Sequence, residues 1–264
     1  MIVDAHKHFW QVGRFDYPWM TSDLGILYRD YLPSDFNPRE HGVDQVVVVQ
    51  ASNSIAETRW LLELADANEF IAGVVGWVDL TGDVDEQLSE LAHPKLKGIR
   101  HLVESEPADD WLVRAIPGLK RLAVHGLTYD LLVHTRHLPY VRQVVESCPE
   151  VNFVIDHLAK PPIAKHGLEE WKNGIEPLAA FPNMYCKLSG LVTEADWNSW
   201  RTEDLRPYVD YALELFGPER LIFGSDHPVC LLASSYARVL ESFRELVSDD
   251  RIFAENARTF YRLK

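Results

Sequence analysis

The sequence predicts an α/β fold, a closed (β/α)8 barrel that spans residues 1–264 as a single domain. Short runs rich in Val, Ile, Leu and aromatic residues recur at eight places along the chain, and helical patterns lie between several of them. Most runs are continuously apolar rather than alternating, which is typical of parallel strands covered on both faces. The chain has 264 residues, 47% of them hydrophobic, and such barrels often form one domain of about 250 residues.

The order of the predicted elements distinguishes the barrel from its alternative, an open doubly wound sheet. No Gly-x-Gly-x-x-Gly motif follows the first strand, which disfavours a dinucleotide-binding version of that sheet. Apolar residues at helical spacing mark four helices, one with Pro139 in its first turn. The predicted strands are Ile2–Phe9, Gln45–Ala51, Ile71–Asp79, Leu96–Leu102, Leu127–Val133, Asn152–Leu158, Met184–Gly190 and Leu221–Asp226, and the predicted helices are Ser54–Asn68, Leu138–Ser147, Glu203–Phe216 and Ser234–Val247.

The long segment Gln11–Pro38 follows the first strand and is rich in aromatic and turn residues. Its position predicts a loop that reaches over the mouth of the barrel. A surface Ω-loop packed by its own side chains is the alternative.

Charge and composition exclude several classes of partner. The formal net charge is −14, from 40 acidic and 26 basic side chains, which disfavours non-specific binding to nucleic acid or to an anionic membrane. The sequence has neither a signal-peptide pattern nor an apolar run long enough for a membrane span. We therefore expect a cytoplasmic protein that binds a small molecule, and we allow for a homodimer.

The three cysteines are far apart in the sequence, at positions 148, 186 and 230. Their odd number and the absence of a Cys-x-x-Cys pair argue against a disulfide framework. Cys186 and Cys230 adjoin apolar runs, so we expect them to be buried as small hydrophobic residues.

Polar side chains stand at the ends of several predicted strands, directly after apolar residues. In a barrel of this type the carboxyl ends of the strands meet at one face, where the chemistry takes place. His6 and His8 lie two positions apart and so share one face of the first strand. Two such imidazoles suit a metal ion or a reacting ligand. The other candidates at strand ends are Arg100, His101, His157, Lys187, Ser189 and Asp226.

Each candidate also has a purely structural interpretation. His157 suits a hydrogen-bonded core histidine, Asp226 a helix cap, Arg100 an ion pair and Lys187 a surface lysine. Taken together, however, the residue types indicate hydrolysis. Imidazoles can bind or polarise a substrate, a carboxylate can take a proton from water, and cations can stabilise an oxyanion.

Several of these strand ends lie in motifs that resemble the amidohydrolase superfamily, specifically the amidohydrolase-2 branch of TIM-barrel lactonases. The matching stretches occur in order along nearly the whole chain. They are Asp4-Ala5-His6-Lys7-His8-Phe9-Trp10, Gly98-Ile99-Arg100-His101, Arg136-His137-Leu138-Pro139, Asp156-His157-Leu158-Ala159-Lys160-Pro161-Pro162, Cys186-Lys187-Leu188-Ser189-Gly190-Leu191-Val192-Thr193-Glu194, Phe223-Gly224-Ser225-Asp226-His227-Pro228-Val229 and Asn256-Ala257.

The resemblance implies roles for the catalytic candidates. Asp226 corresponds to the last-strand aspartate that activates or orients water, and His157 corresponds to the sixth-strand histidine. His6 and His8 correspond to the first-strand pair. Arg100 and His101 would hold the lactone carbonyl or an acid group.

The resemblance also bears on metal content. A two-metal site in this superfamily uses a carboxylated lysine on the fourth strand and a histidine on the fifth, whereas the fourth strand here ends in Arg100-His101 and the fifth offers His134 at best. We therefore expect at most one divalent ion, preferably zinc, or a metal-independent site. Its ligands would be His6, His8, His157 and Asp226. At His227 the family pattern favours an aromatic residue, so the rim is expected to differ there.

The predicted function is the hydrolysis of a sugar-acid lactone to its hydroxy acid. Phe9, Trp10 and Trp19 would form an aromatic platform for a sugar ring. Two other enzymatic alternatives remain, a 2-pyrone-4,6-dicarboxylate lactonase and a metal-dependent decarboxylase, besides a non-catalytic sugar-acid binding module. A planar dicarboxylate would need several convergent arginines, and only Arg100 and Arg136 are available. The predicted substrate-binding residues are Trp10, Asn53, Arg100, His101, His134, Lys187 and Ser189, with Thr193 as a further hydrogen-bonding group.

Overall fold

The eight apolar runs form eight parallel strands that are hydrogen-bonded in chain order. A computed structural model describes residues 1–264 and confirms the predicted (β/α)8 TIM barrel. Between the first and last strands, Lys7 forms a bridge with His227, and the His8 amide donates to the His227 carbonyl oxygen at 2.8 Å. The strands are β1 Val3–Lys7, β2 Gln45–Val49, β3 Ile71–Gly76, β4 Leu96–His101, β5 Thr128–Leu131, β6 Phe153–Ile155, β7 Met184–Leu188 and β8 Leu221–Phe223.

All four predicted helices are present, and two of them begin after a serine that caps the first turn. The first begins after Ser54, whose hydroxyl accepts a hydrogen bond from the Glu57 amide, as an N-cap should. None of the helices combines the length and the apolar character that crossing a bilayer requires. The helices are α1 Ile55–Ala67, α2 Val84–Glu90, α3 Trp111–Arg114, α4 Ile116–Val124, α5 Leu138–Ser147, α6 Leu168–Ile175, α7 Leu191–Glu194, α8 Thr202–Phe216, α9 Tyr236–Leu246 and α10 Glu255–Phe260.

The strands are shorter than predicted, and after β6 and β8 the chain bends where the candidate site begins. β6 ends at Ile155, and the four residues from His157 to Lys160 all have positive φ angles. Asp226 also has a positive φ, of 58°. Non-glycine residues rarely adopt this conformation, and it is concentrated at functional sites. The predictions that β6 runs to Leu158 and β8 to Asp226 were therefore wrong.

Two layers of side chains hold the barrel together. A large apolar layer lies between the strands and the surrounding helices. A smaller one fills the end of the barrel opposite the site, where α10 and Tyr261 pack against Val3, Val154 and Ile222. The segment 11–38 forms a third, small cluster around Trp10 and Tyr31. It is thus packed partly by its own side chains, as the Ω-loop alternative requires, and partly against Trp10, Ala51 and Val229. Trp19 of this segment also reaches the mouth of the barrel.

Candidate active site

The contact between β1 and β8 places three of the candidate residues, His6, His8 and Asp226. The Asp226 amide donates to the His6 carbonyl oxygen at 2.8 Å. One residue earlier, the Ser225 hydroxyl donates to buried Asp4 at 2.6 Å. A Cβ atom on Gly224 would lie 2.5 Å from the Cβ of His6, so only glycine allows β8 to approach β1 this closely.

His157 reaches the same centre from the turn after β6. Its Nδ1 lies 2.8 Å from the Ser189 hydroxyl oxygen. Gly190 has a φ of 63°, and a Cβ atom at that position would lie 2.4 Å from His157 Nδ1. The Ser189-Gly190 pair therefore orients the imidazole and leaves room for it.

The centre of the site is one carboxylate oxygen that faces three imidazoles. Asp226 Oδ1 lies 3.4 Å from Nε2 of His8, 3.7 Å from Nε2 of His6 and 3.9 Å from Nε2 of His157. Burial raises the pKa of Asp226, although the neighbouring His157 opposes this shift. A carboxylate whose pKa moves towards neutrality is a better general base than an exposed one.

The far side of two imidazoles faces fixed oxygen atoms, and at His8 this contact indicates the tautomer. His8 Nδ1 lies 2.7 Å from the Val49 carbonyl oxygen, which can only accept. His6 Nδ1 lies 3.3 Å from an oxygen of Asp156. His8 therefore carries its proton on Nδ1 and turns the lone pair of Nε2 towards Asp226. His6 Nδ1 also lies 3.2 Å from Lys187 Nζ, and the Nε2 atoms of all three imidazoles face Asp226. This arrangement suits a cation, a water molecule or a hydroxyl group between them.

Burial keeps these imidazoles neutral, which makes the stability of the protein dependent on pH. Burial lowers the pKa of His8 to about 3, whereas an unfolded chain protonates histidine near pH 6.5. Below about pH 6.5 the unfolded state binds a proton at this histidine and the folded state does not. The free energy of unfolding therefore falls as the pH drops below about 6.5. Each such histidine contributes a slope of about 1.4 kcal/mol per pH unit.

Urea unfolding between pH 7.5 and pH 4.5 in the presence of chelator should show this loss. The His8→Asn variant should lose less stability over the same interval, because it lacks one of the groups that titrate. Equal slopes for the two proteins would contradict the assignment of a neutral, buried His8.

Arg100 lies against the floor of the site. Its Nη1 is 3.2 Å from His6 Nε2 and 3.0 Å from Asp156 Oδ2. Its Nη2 donates to the Gln50 carbonyl oxygen. The guanidinium is 3% exposed and still contributes to the wall of the cleft, so it can meet a substrate oxygen without having to move.

The cleft above this centre has an empty volume of about 600 Å³, including the part open to solvent. Several of its lining residues were missed by the sequence reasoning. Lys160 forms an ion pair with Glu104, and Leu102 and Leu132 provide apolar contacts. Most of these residues belong to loops, where strand periodicity gives no signal. The lining comprises His8, Trp19, Ala51, Arg100, Leu102, Glu104, Leu132, His157, Lys160, Thr193, Asp226 and Val229.

Three predicted substrate contacts do not belong to the wall of the cleft. Trp10 is fully buried, and its Nε1 donates to the Arg29 carbonyl oxygen at 2.8 Å. Lys187 is also fully buried, in an ion pair with Asp130 at 2.5 Å. His101 stacks on Trp111 with 3.7 Å between ring centroids.

Other predicted contacts lie beside the cleft rather than in its wall. Asn53 lines a neighbouring depression together with Trp19 and accepts a hydrogen bond from the Leu102 amide at 3.1 Å. His134 Nε2 lies 3.6 Å from Glu104 on the rim. Ser189 is fully buried and bonded to His157, and so supports that residue from behind. Phe9 is buried in the outer apolar layer, so Trp19 alone remains from the predicted aromatic platform.

Comparison with known proteins identifies the family. The model of the amidohydrolase family matches residues 3–263. This chain belongs to the amidohydrolase family. An L-fucono-1,5-lactonase from Burkholderia ambifaria is 39% identical, over 99% of this chain and 95% of its own. Another from Burkholderia multivorans is 42% identical, over 90% of this chain and 85% of its own.

Solved structures of an amidohydrolase from Burkholderia multivorans share the whole fold. One contains bound HEPES and is 37% identical, and the other contains bound zinc and is 38% identical. Each superposes with a TM-score of 0.94 and covers 100% of both chains.

The donor set of this amidohydrolase fits one divalent ion. Ligand atoms of His6, His157 and Asp226 lie within 4.8 Å of one another, and the Nε2 atom of His8 also faces Asp226 Oδ1. Imidazole nitrogens and a carboxylate oxygen are ordinary zinc ligands. The cations of Arg100 and Lys187 on either side of His6 reduce the negative charge available for a second ion.

We accordingly expect between zero and one equivalent of divalent metal per chain, because only one group of converging ligands is present. Elemental analysis of protein purified without added metal measures this number. As a control, the His6→Asn variant should hold less metal than the parent protein. Two tightly held equivalents would contradict this reading of the site.

Proposed function

We propose that this protein hydrolyses the lactone of a sugar acid, in the first instance a 1,5-lactone, to the open hydroxy acid. The observation that carries the proposal is the set of groups around Asp226, in a chain similar over nearly its whole length to proteins named L-fucono-1,5-lactonase. A base, neutral imidazoles and a fixed guanidinium are what water attack on an ester carbonyl needs.

In this mechanism Asp226 takes a proton from the water molecule that attacks the lactone carbonyl carbon. The Arg100 guanidinium stabilises the negative charge that develops there. The bond between the carbonyl carbon and the ring oxygen then breaks, and the proton held by Asp226 passes to that oxygen. The product acid releases one proton at neutral pH, so lactone and water yield hydroxy-carboxylate and a proton.

A divalent ion held by His6, His8, His157 and Asp226 would supply Lewis-acid polarisation and lower the pKa of bound water. The remaining tasks belong to the chain itself. Ser189 orients His157, Asp156 orients His6, and the Val49 carbonyl oxygen orients His8. Burial keeps the imidazoles neutral, and these contacts direct them at the reacting centre.

The charges of the cleft favour a sugar lactone over a pyrone dicarboxylate. Arg100 is paired with Asp156, and Lys160 is paired with Glu104. Arg136 lies on the surface and pairs with Asp109. A substrate with two carboxylates would therefore find no unpaired cation in the wall of the cleft, whereas Glu104, Lys160 and Thr193 suit the hydroxyl groups of a sugar ring.

A pH-indicator assay on a panel of aldonolactones, with and without chelator, tests this function. We expect one proton per lactone consumed and much slower turnover of 2-pyrone-4,6-dicarboxylate. Release of carbon dioxide from an aromatic acid would instead indicate a decarboxylase. Binding of aldonic acids without any turnover would indicate a sugar-acid binding module. Fast turnover of the pyrone, with no aldonolactone hydrolysed, would overturn the sugar assignment while leaving the lactonase mechanism intact.

A further inference from the structure

Beneath the cleft, a ladder of buried side chains runs from the site to the opposite end of the barrel. We propose that Tyr261, next to the C-terminus, is a positioning residue for the active site. Its hydroxyl group fixes Asp130, which holds Lys187 against His6 and Asp156. The inference deepens the proposed function, and its kinetic test rests on that function because it measures lactone hydrolysis.

The lower part of the ladder joins the C-terminal segment to β5. Tyr261 is fully buried directly after α10, among the residues that fill the lower end of the barrel. Its hydroxyl donates to Asp130 Oδ2 at 2.7 Å. Lys187 Nζ donates to the same oxygen at 2.5 Å. The other oxygen of Asp130 has no hydrogen-bond partner, so these two donors alone fix the carboxylate.

The upper part of the ladder joins β7 to the site. Lys187 Nζ lies 2.9 Å from Asp156 Oδ1 and 3.2 Å from His6 Nδ1. Asp156 Oδ2 accepts from Arg100 at 3.0 Å. Asp156 and Arg100, which flank His6, are therefore linked to the Lys187 ammonium, and Asp130 holds that ammonium from below.

The hydroxyl of Tyr261 has an effect distinct from that of its ring. The ring lies beside Lys187, with 5.5 Å between its centroid and Nζ, and it packs in the apolar lower layer. A Tyr261→Phe variant keeps this packing and removes only the donor to Asp130. The carboxylate would then turn towards Lys187 and draw the ammonium away from His6 and Asp156. Small displacements of groups that orient a reacting centre are costly in rate.

Kinetics of the Tyr261→Phe variant test this inference. We expect kcat to fall on the order of 10-fold, with KM within about 2-fold of the parent value, because Tyr261 does not line the cleft. Tyr31→Phe is the matched control, since that buried hydroxyl donates to the Ile26 carbonyl oxygen on the loop. Thermal melts correct each rate for the folded fraction.

A double-mutant cycle separates positioning from general destabilisation. If Tyr261 acts through Asp130, adding Tyr261→Phe to Asp130→Asn should leave kcat of the latter unchanged. If the two losses in kcat multiply in the double variant, the inference is overturned. A parent-like kcat in Tyr261→Phe would overturn it as well.

Spectra of the histidine ring nitrogens give a test that needs no substrate. The chain has 11 histidines, and a His6→Asn spectrum assigns the signals of His6. In ¹⁵N-histidine protein, we expect the His6 signals to shift in Tyr261→Phe and in Asp130→Asn but not in Tyr31→Phe. Unchanged His6 signals in both variants would overturn the inference, whether or not the parent protein hydrolyses a lactone. A parent protein that hydrolyses no lactone would count against the proposed function alone.

Discussion

Replacing Asp226 with Asn is expected to lower kcat on the best lactone by about 10²–10⁴, the range for loss of a general base. Asn keeps the shape of the side chain but cannot take the proton from water. The surrounding contacts favour this assignment, because Asp226 Oδ1 faces three imidazoles within 3.9 Å. The measurement is kcat of the variant, with metal content determined on the same preparation.

The pH profile provides a second readout of the same change. Activity requires ionised Asp226, and burial raises its pKa, so the acid limb of kcat/KM should lie above the value of about 3.9 for a free aspartate. The residual rate of Asp226→Asn should lack this limb. Asp83→Asn, at the exposed N-cap of α2, is the matched control and should keep both rate and profile. A variant at position 226 with near-parent kcat would exclude Asp226 as the base.

The barrel itself could be predicted because its determinants are local. Eight apolar runs and intervening helical patterns define the order of elements, and parallel strands covered on both faces leave few other arrangements. The ends of the strands could not be predicted in the same way. His157 and Asp226 leave the strand direction in left-handed conformations. Histidine and aspartate are enriched in this conformation, but only a few per cent of non-glycine residues adopt it, so the preference does not locate the bend.

The candidate site could be predicted in part, because strand ends of a barrel converge on one face. His6, His8, His157 and Asp226 do meet there. The periodicity of the sequence does not predict how deep a side chain lies along the barrel axis. Lys187 was predicted as a substrate contact, but it lies below His6, where it pairs with Asp130 and Asp156. Glu104 and Lys160 come from loops whose paths are set only by tertiary packing.

The two tryptophans after β1 show how such a loop decides function, and they give the last prediction. Trp10 and Trp19 are indistinguishable as aromatic candidates in the sequence, but only Trp19 lines the cleft. Trp10 is fully buried, with its ring centroid 5.4 Å from Trp19 and 5.5 Å from Tyr31. Trp10→Ala should therefore cost about 3–5 kcal/mol in the free energy of unfolding, measured by urea denaturation.

Trp19→Ala should lower kcat/KM more than it lowers the stability of the protein, the opposite of what is expected for Trp10→Ala. Its indole Nε1 donates to the Ala51 carbonyl oxygen at 2.7 Å, and part of the ring is exposed to the cleft. Loss of about 1–3 kcal/mol of contact with a sugar ring corresponds to a fall in kcat/KM of roughly 5- to 150-fold. The conservative control is Trp10→Phe, which keeps an aromatic ring in the loop cluster and should restore most of the stability. A stable Trp10→Ala protein with a large loss in kcat/KM would place Trp10 in the wall of the cleft and contradict its buried position in the loop cluster.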